Sequence, residues 1–172
     1  DVQREYYVND AGRQMDILAI STWLRYLDLH KVSIPFPPNG YQGDYVRDMA
    51  IQIQALHGDI YVRPAAEIIK NAPNVDEDKE AHLDALIANA KALLGDAWHY
   101  IHHHALTEQL NDGRADLTEF GVTFDCWFSE KSLFETGLVA RIVEKLEAAG
   151  HIYVQDGAKW FRSTTFGDEK DR

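Results

Sequence analysis

The chain has 172 residues, 45% of them hydrophobic, which is enough for one domain with a packed core. Its formal net charge of −11 disfavours a broad nucleic-acid footprint, because phosphate binding depends on clustered Lys and Arg. The single cysteine, Cys126, excludes an internal disulfide and fits a cytoplasmic location, and no apolar run approaches the about 20 residues that a membrane-spanning helix needs.

The first part of the chain predicts a strand, a turn and a helix. Residues 2–8 mix β-branched and aromatic side chains, which indicates the strand, and Asn9-Asp10-Ala11-Gly12 forms the turn that ends it. Apolar side chains between Ile17 and Asp28 then recur at helical spacing. We expect the side chains of Asn9 and Asp10 to cap this helix and Gly12 to ease the turn.

Two helices are predicted after a loop. Three prolines within residues 32–43 exclude both a helix and an inner strand there. Asp44 is expected to cap the next helix, which ends at His57-Gly58. Pro64 is expected at the first position of a short helix over residues 64–70, where a helix tolerates proline best.

The longest helical pattern begins at Glu77. Leucine, isoleucine and alanine recur at the helical period up to Leu94, and the pattern restarts after Gly95 and continues to Leu110. This predicts two helices, or one helix that is kinked at Gly95.

The end of the chain predicts a strand, a helix and a hairpin. Residues 122–128 alternate and are rich in aromatic side chains, and residues 139–146 have the period of a helix that stops at Gly150. Asp156-Gly157, between two short apolar runs, is typical of a two-residue hairpin turn.

A histidine-rich stretch contains the one candidate metal site. On a helix, Asp96, His99 and His103 share a face and could hold a divalent ion. Zinc sites usually recruit ligands from more than one element of the fold. We therefore interpret these residues as a solvated helix surface and assign no metal site.

The lone cysteine and the paired aromatics are assigned to packing. Cys126 has no sequence signature of a nucleophile beside it, and cysteine commonly fills small buried spaces. Tyr6-Tyr7, Tyr41 with Tyr45, and Trp160-Phe161 could stack on bases, but aromatic side chains at this spacing usually belong to a core.

Residues 138–162 leave one nucleic-acid-binding alternative open. A helix followed by a hairpin is typical of a winged-helix module, in which Lys145, Lys159, Arg162 and Trp160 would face the nucleic acid. Several glutamates lie on the same helix, and their repulsion of phosphates would offset the attraction by the few cations.

Four strings follow one another along the chain: Tyr6-Tyr7-Val8-Asn9-Asp10-Ala11-Gly12-Arg13-Gln14, Gly40-Tyr41-Gln42-Gly43-Asp44-Tyr45, Gly121-Val122-Thr123-Phe124-Asp125, and WFRSTTFGDEKDR from Trp160 to Arg172. In this order the chain resembles bacterial arginyl-tRNA synthetase, a class I aminoacyl-tRNA synthetase, over nearly its whole length. Because the chain opens on Asp1 without an initiator methionine and stops within a charged run, we expect an internal fragment of the catalytic region.

The resemblance implies an α/β fold class. The chain would be a largely helical fragment of a Rossmann-like class I synthetase catalytic domain, with a helical insertion and a C-terminal β-hairpin. Residues 1–29 would supply a strand and helix of the nucleotide-binding fold, and residues 30–121 the helical insertion. Residues 122–172 would form the return segment toward the second half of the catalytic fold.

The resemblance also implies a function and a site. The intact enzyme would be an arginine–tRNA ligase that uses arginine, tRNA-Arg, and ATP with Mg. Asp10, Gly12 and Gln14 would lie beside the ATP, at the carboxyl end of a strand where such folds bind ligands.

The chain also lacks two signatures of this enzyme class. It contains neither the His-x-Gly-His nor the Lys-Met-Ser-Lys string with which such enzymes steady the triphosphate. We therefore assign no catalytic residue and expect the fragment to be inactive alone and to bind no cofactor tightly. Apolar faces left by the truncation could make it self-associate.

Overall fold

The computed structural model describes residues 2–172, which divide into two compact units. The smaller unit joins the residues up to Asp10 with Phe124–Arg172, and the larger unit spans Ala11–Thr123. The first helix, which was predicted within the segment 1–29, therefore lies in the larger unit. The division into 1–29, 30–121 and 122–172 stays a prediction.

The helices and strands follow one another along the chain as β1 (Glu5–Val8), α1 (Arg13–Leu29), α2 (Asp44–His57), α3 (Ala65–Ile68), α4 (Lys79–Leu94), α5 (Asp96–Glu119), β2 (Cys126–Ser129), α6 (Lys131–Glu135), α7 (Leu138–Ala148), β3 (Ile152–Gln155), β4 (Ala158–Phe161) and a final 3-10 turn (Ser163–Phe166). The expectation of a mostly helical α/β chain with a C-terminal hairpin is confirmed. None of the helices within residues 2–172 is long and apolar enough to cross a membrane.

The larger unit is a helical bundle with α1 at its centre. Helix α1 packs against α2, α4 and α5, and its Trp23 and Tyr26 are fully buried. The Trp23 indole donates to the carbonyl oxygen of Tyr61 across 3.0 Å, and the Tyr26 hydroxyl donates to that of Gly58 across 2.8 Å. Both polar tips are thus satisfied inside the core, so these large rings are buried without the cost of an unpaired donor.

Helix α1 lacks the predicted side-chain cap. Its N-cap residue is Gly12, and no side chain bonds to the first-turn amides, so the capping role predicted for Asn9 and Asp10 is wrong. Asp10 does not cap the helix because its carboxylate is bound to Ser129 and to the backbone amide of Lys131 in the smaller unit.

Two further helix starts differ from the prediction by one position. Asp44 is the first residue of α2 rather than its cap, which is Gly43, although its charge in the first turn still favours the helix dipole. Pro64 is the cap of α3 rather than its first residue, because its ψ of 135° is extended, and the helix ends at Ile68.

Gly95 separates α4 from α5, which settles the two possibilities that the sequence left open. Its φ of 55° and ψ of −125° lie outside the helical region, and the left-handed φ favours glycine. Helix α5 then runs to Glu119, beyond the Leu110 at which the apolar pattern ends. Its buried residues all lie in its first half, so periodicity could not reveal the second half.

The smaller unit contains two pairs of strands. Strands β1 and β2 are parallel, with Tyr6 opposite Trp127, and β2 begins at Cys126 rather than at residue 122. Strands β3 and β4 form the predicted antiparallel hairpin, and Asp156 and Gly157 in its turn have φ angles of 52° and 79°. Positive φ at both turn residues matches the right-handed twist of a two-residue hairpin.

Several aromatic residues that are assigned to packing contact other rings but remain partly exposed. The Tyr6 ring stacks on Trp127 with ring centroids 4.4 Å apart, yet Tyr6 and Tyr7 are 37% and 52% exposed. Trp160 is also exposed, and Cys126 is only half-buried.

Candidate functional site

Asp10 anchors the turn between β2 and α6 in the smaller unit. One carboxylate oxygen, Oδ2, accepts the hydroxyl of Ser129 across 2.6 Å, and Oδ1 accepts the backbone N–H of Lys131 across 2.9 Å. Asp10 is only 8% exposed. Each carboxylate oxygen accepts one protein donor, and the low exposure of Asp10 leaves little of the carboxylate open to a ligand.

The same turn is fixed by a second set of bonds. The backbone N–H groups of Asp10 and Glu130 both donate to the Val8 carbonyl oxygen, each across 3.0 Å. The Ser132 hydroxyl donates to the Ser129 carbonyl oxygen across 2.6 Å. The end of β1 and the end of β2 are therefore held in one hydrogen-bonded loop.

Gly12 opens α1 in the larger unit with a conformation that other residues rarely adopt. Its φ is 90° and its ψ is −170°. A Cβ placed on Gly12 would meet no atom within 4 Å, so the backbone angle rather than crowding favours glycine here. The space over this residue is open, and the amides of the first turn of α1 have no side-chain cap.

Gln14 is exposed and is held by Tyr41. The Tyr41 hydroxyl donates to Oε1 of Gln14 across 3.2 Å, and the Tyr41 backbone N–H donates to the hydroxyl oxygen of Ser21 across 3.0 Å. The Ser21 hydroxyl in turn donates to the Ile17 carbonyl oxygen within α1. Tyr41 thus ties the loop before α2 to the exposed first turn of α1.

Gly40 permits this close approach. A Cβ at Gly40 would lie 3.0 Å from the ring of Phe36 and 3.1 Å from the Ser21 hydroxyl oxygen. A Cβ at Gly43 would overlap the ring of Tyr45. The tight packing around Gly40 therefore favours glycine there, whereas the exposed ring of Tyr45 can turn away from a Cβ at Gly43.

Arg13 links the start of α1 to α4. Its Nε donates to Asp84 across 2.8 Å and its Nη2 donates to Glu80 across 2.7 Å. Glu80 also accepts a hydrogen bond from Asn39 across 3.0 Å. The bonds from Asn39 and Arg13 lower the pKa of the Glu80 carboxyl, and the bond from Asn39 has the larger effect. Arg13 thus holds the start of α1 against α4, a role that the sequence alone did not indicate.

The three predicted site residues are divided between the two units. Gly12 and Gln14 lie in the larger unit at the start of α1, whereas Asp10 belongs to the smaller unit. Sequence reasoning missed Tyr41 and Ser129 as their partners. Tyr41 lies in a string that had been noted, but nothing in that string indicates which residue its hydroxyl binds.

An acidic groove of about 180 Å³ lies between α2 and α5. It is lined by the side chains of Tyr45, Asp48, Met49, Gln52, Glu108, Gln109 and Asp112. Gln52 and Glu108 are bound to each other across 3.0 Å. Within residues 2–172, no three His, Cys, Asp or Glu side chains form a group that could hold a metal ion. Asp96, His99 and His103 therefore do not form such a group.

Helix α7 and the hairpin form as the nucleic-acid alternative requires, but several of their cations are already engaged. Lys159 pairs with Glu147 across 2.6 Å, and the Arg162 guanidinium lies 4.6 Å from the centre of the Tyr153 ring. Arg141 donates to the Thr136 carbonyl oxygen. Of these contacts, only the ion pair with Glu147 offsets a positive charge, because the Tyr153 ring and the Thr136 carbonyl are neutral. The nucleic-acid alternative stays a prediction.

The fold is similar to that of an aminoacyl-tRNA synthetase. A crystal structure described as an arginyl-tRNA synthetase from Campylobacter jejuni matches 99% of this chain with a TM-score of 0.60. The match covers 31% of that protein at 24% sequence identity, so this likeness concerns the fold alone. The Rossmann-like assignment stays a prediction.

Several curated proteins that match the chain in sequence are bacterial arginine–tRNA ligases. The arginine–tRNA ligase of Dechloromonas aromatica is 66% identical over 182 residues, and that of Legionella pneumophila is 52% identical over 177 residues. Each match covers 100% of this chain but only 31% and 30% of the respective ligase. No family model matches the chain. The chain corresponds over its full length to a segment of bacterial arginine–tRNA ligase, which confirms the resemblance stated from its motifs.

Proposed function

We propose that this chain forms part of an enzyme that joins arginine to tRNA-Arg at the expense of ATP. The observation that carries the proposal is identity of 52–66% to bacterial arginine–tRNA ligases along the whole chain. The chain spans about 30% of the length of these relatives. The substrates, the Mg ion that accompanies ATP, and a cytoplasmic location are therefore parts of this proposal.

The proposed reaction has two steps. The arginine carboxylate attacks the α-phosphate of ATP, which gives arginyl-adenylate and releases pyrophosphate. A terminal ribose hydroxyl of the tRNA then takes the arginyl group and releases AMP. The first step depends on positioning and on stabilising phosphoryl charge rather than on a protein nucleophile.

Gly12 and Gln14 would line the ATP side of this enzyme. The first turn of α1 has no side-chain cap, and the positive end of a helix dipole together with free N–H groups favours a phosphate. The open space over Gly12 would let a ligand approach the backbone. Because Tyr41 binds Oε1 of Gln14, the Nε2 group is the one oriented for donation to a ligand.

Asp10 would act within the smaller unit. Its carboxylate holds Ser129 and the amide of Lys131, so it fixes the backbone at the ends of β1 and β2. We therefore assign Asp10 as a positioning residue and not as a ligand of Mg. The contribution of the 172 residues is mainly a scaffold and one wall of the site.

The function is tested by charging assays on the complete polypeptide, meaning the natural protein that contains these residues. Arginine-dependent charging of tRNA supports the proposal. The isolated chain, purified free of host synthetase, should neither charge tRNA nor exchange pyrophosphate into ATP, because both nucleotide signatures are missing from it. Turnover by the isolated chain would show that its own residues suffice and would overturn the scaffold role.

A further inference from the structure

Arg13, the first residue of α1, binds two carboxylates of α4. Its Nε donates to Oδ1 of Asp84 across 2.8 Å, and its Nη2 donates to Oε2 of Glu80 across 2.7 Å. Glu80 and Asp84 are neighbours on one face of α4, where two like charges repel each other. A single guanidinium therefore compensates two negative charges beside the start of α1.

A third carboxylate lies in the first turn of α1 itself and also has a cation partner. Asp16 accepts the Nζ group of Lys91 across 2.8 Å. Lys91 comes from α4 as well, so the start of α1 and the adjoining part of α4 carry charges of both signs in direct contact. The negative charge at this place is thus kept low by contacts rather than by a lack of acidic residues.

The ion pairs of Arg13 are exposed to water. The side chain of Arg13 is 42% exposed, and those of Glu80 and Asp84 are 52% and 59% exposed. Exposed ion pairs contribute little to the free energy of unfolding, because water already solvates both charges well. We therefore expect Arg13 to matter more for the local charge than for the stability of the fold.

The local charge bears on the ligand of the proposed function. Gly12 and Gln14, on either side of Arg13 in the chain, are the residues assigned to the ATP side. ATP is a polyanion, and carboxylates within about 10 Å would repel it, since that is the Debye length at about 0.1 M salt. The amide of Asn39 also binds Glu80, but it is neutral and cannot replace the charge of Arg13.

We propose that Arg13 favours ATP binding by compensating the charges of Glu80 and Asp84, without contacting the nucleotide. This inference rests on the proposed function. Arg13 then determines how strongly the start of α1 repels a triphosphate, whereas Gln14 is the residue that faces it.

The test is the dissociation constant of ATP with Mg for the complete polypeptide, measured by titration calorimetry. Arg13→Gln should raise this constant by about twofold to tenfold at about 0.1 M salt, and the difference should shrink at about 1 M salt, where the Debye length is about 3 Å. Arg13→Lys keeps the charge and should bind ATP within about twofold of the natural protein. The matched control is Arg25→Gln, which removes the same charge about 18 Å further along α1 and should leave the constant unchanged.

A triple variant separates charge compensation from direct contact. Arg13→Gln combined with Glu80→Gln and Asp84→Asn removes the carboxylates together with the cation, so it should bind ATP at least as tightly as the natural protein. A triple variant that binds as weakly as Arg13→Gln would overturn the proposal, because Arg13 would then contact the nucleotide or only hold the helix. Arg13→Gln with an unchanged constant would overturn it as well.

Arginine charging by the natural protein is measured in parallel. If the natural protein binds ATP and charges arginine while Arg13→Gln has no effect on the constant, the role of Arg13 is wrong and the proposed function stands. A natural protein that charges no arginine refutes the proposed function, and the role of Arg13 falls with it.

Discussion

The hydroxyl of Tyr41 donates to Oε1 of Gln14 across 3.2 Å, which binds the loop before α2 to the first turn of α1. The two residues lie in separate strings of the sequence, and their bond joins the predicted ATP wall to a loop of otherwise undetermined role. Tyr41 is therefore a positioning residue for Gln14, which it orients without needing to touch a ligand itself.

Replacing Gln14 with alanine in the complete polypeptide should raise KM for ATP by about twofold to tenfold, the range expected for one lost hydrogen bond. Tyr41→Phe should raise KM for ATP by a smaller factor, because it frees the side-chain amide of Gln14 without removing it. The double variant should cost less than the sum of the two effects. The control is Gln52→Ala, an exposed glutamine bound to Glu108, which should leave KM for ATP unchanged. Additive effects would show that the two side chains act independently.

The carboxylate of Asp10 should contribute measurably to stability. Asp10→Asn keeps the size of the side chain but removes the charge from two bonds to Ser129 and Lys131 at a nearly buried position. We expect a loss of about 1–3 kcal/mol in the free energy of unfolding, measured by chemical denaturation. Asp116→Asn, at an exposed position of α5, should change it by less than about 0.5 kcal/mol. An Asp10→Asn variant with an unchanged free energy of unfolding would contradict the anchoring role.

Two glycines should respond to alanine with opposite signs. Gly12→Ala should destabilise the protein by about 1–2 kcal/mol, because a Cβ is unfavourable at a φ of 90° even where space is open. Gly113→Ala should stabilise it by about 0.5–1 kcal/mol, because this glycine lies inside α5 with no atom near the added Cβ. Denaturation midpoints of the two variants give both values, and a stabilising Gly12→Ala would refute the assigned turn.

His104 should make stability depend on pH. Burial lowers the pKa of this histidine below its ordinary value of 6.5, an effect that the nearby charge of Glu108 only partly offsets. The unfolded chain then binds the proton more readily than the folded chain does. The stability contributed by neutral His104 is thus complete above about pH 6.5 and is lost as the pH falls through the folded value.

His104→Leu should remove this part of the acid sensitivity. The measurement is the urea midpoint at about pH 7.5 and about pH 5, on either side of the ordinary histidine pKa. The fall in midpoint should be smaller in the variant than in the natural protein. His99→Leu, at an exposed position on the same helix, is the matched control and should keep the natural fall. An unchanged fall in His104→Leu would place the acid sensitivity elsewhere.

Helix α4 could be predicted because its buried residues recur at the helical period, namely Leu83, Leu86, Ile87, Ala90 and Leu94. Local backbone angles set the starts of α2 and α3, and the apolar pattern carries no information on those angles. The partners of the site residues could not be predicted at all. Tyr41 and Gln14 are 27 positions apart and Asp10 and Ser129 are 119 apart, so only the folded chain shows that they meet.

The proposed function is decided by charging of total tRNA by the complete polypeptide, with each amino acid offered separately together with ATP. We predict that arginine alone is joined to tRNA and that charging stops when ATP is omitted. A folded, full-length protein that charges no amino acid, or that charges one other than arginine, would contradict the proposed function.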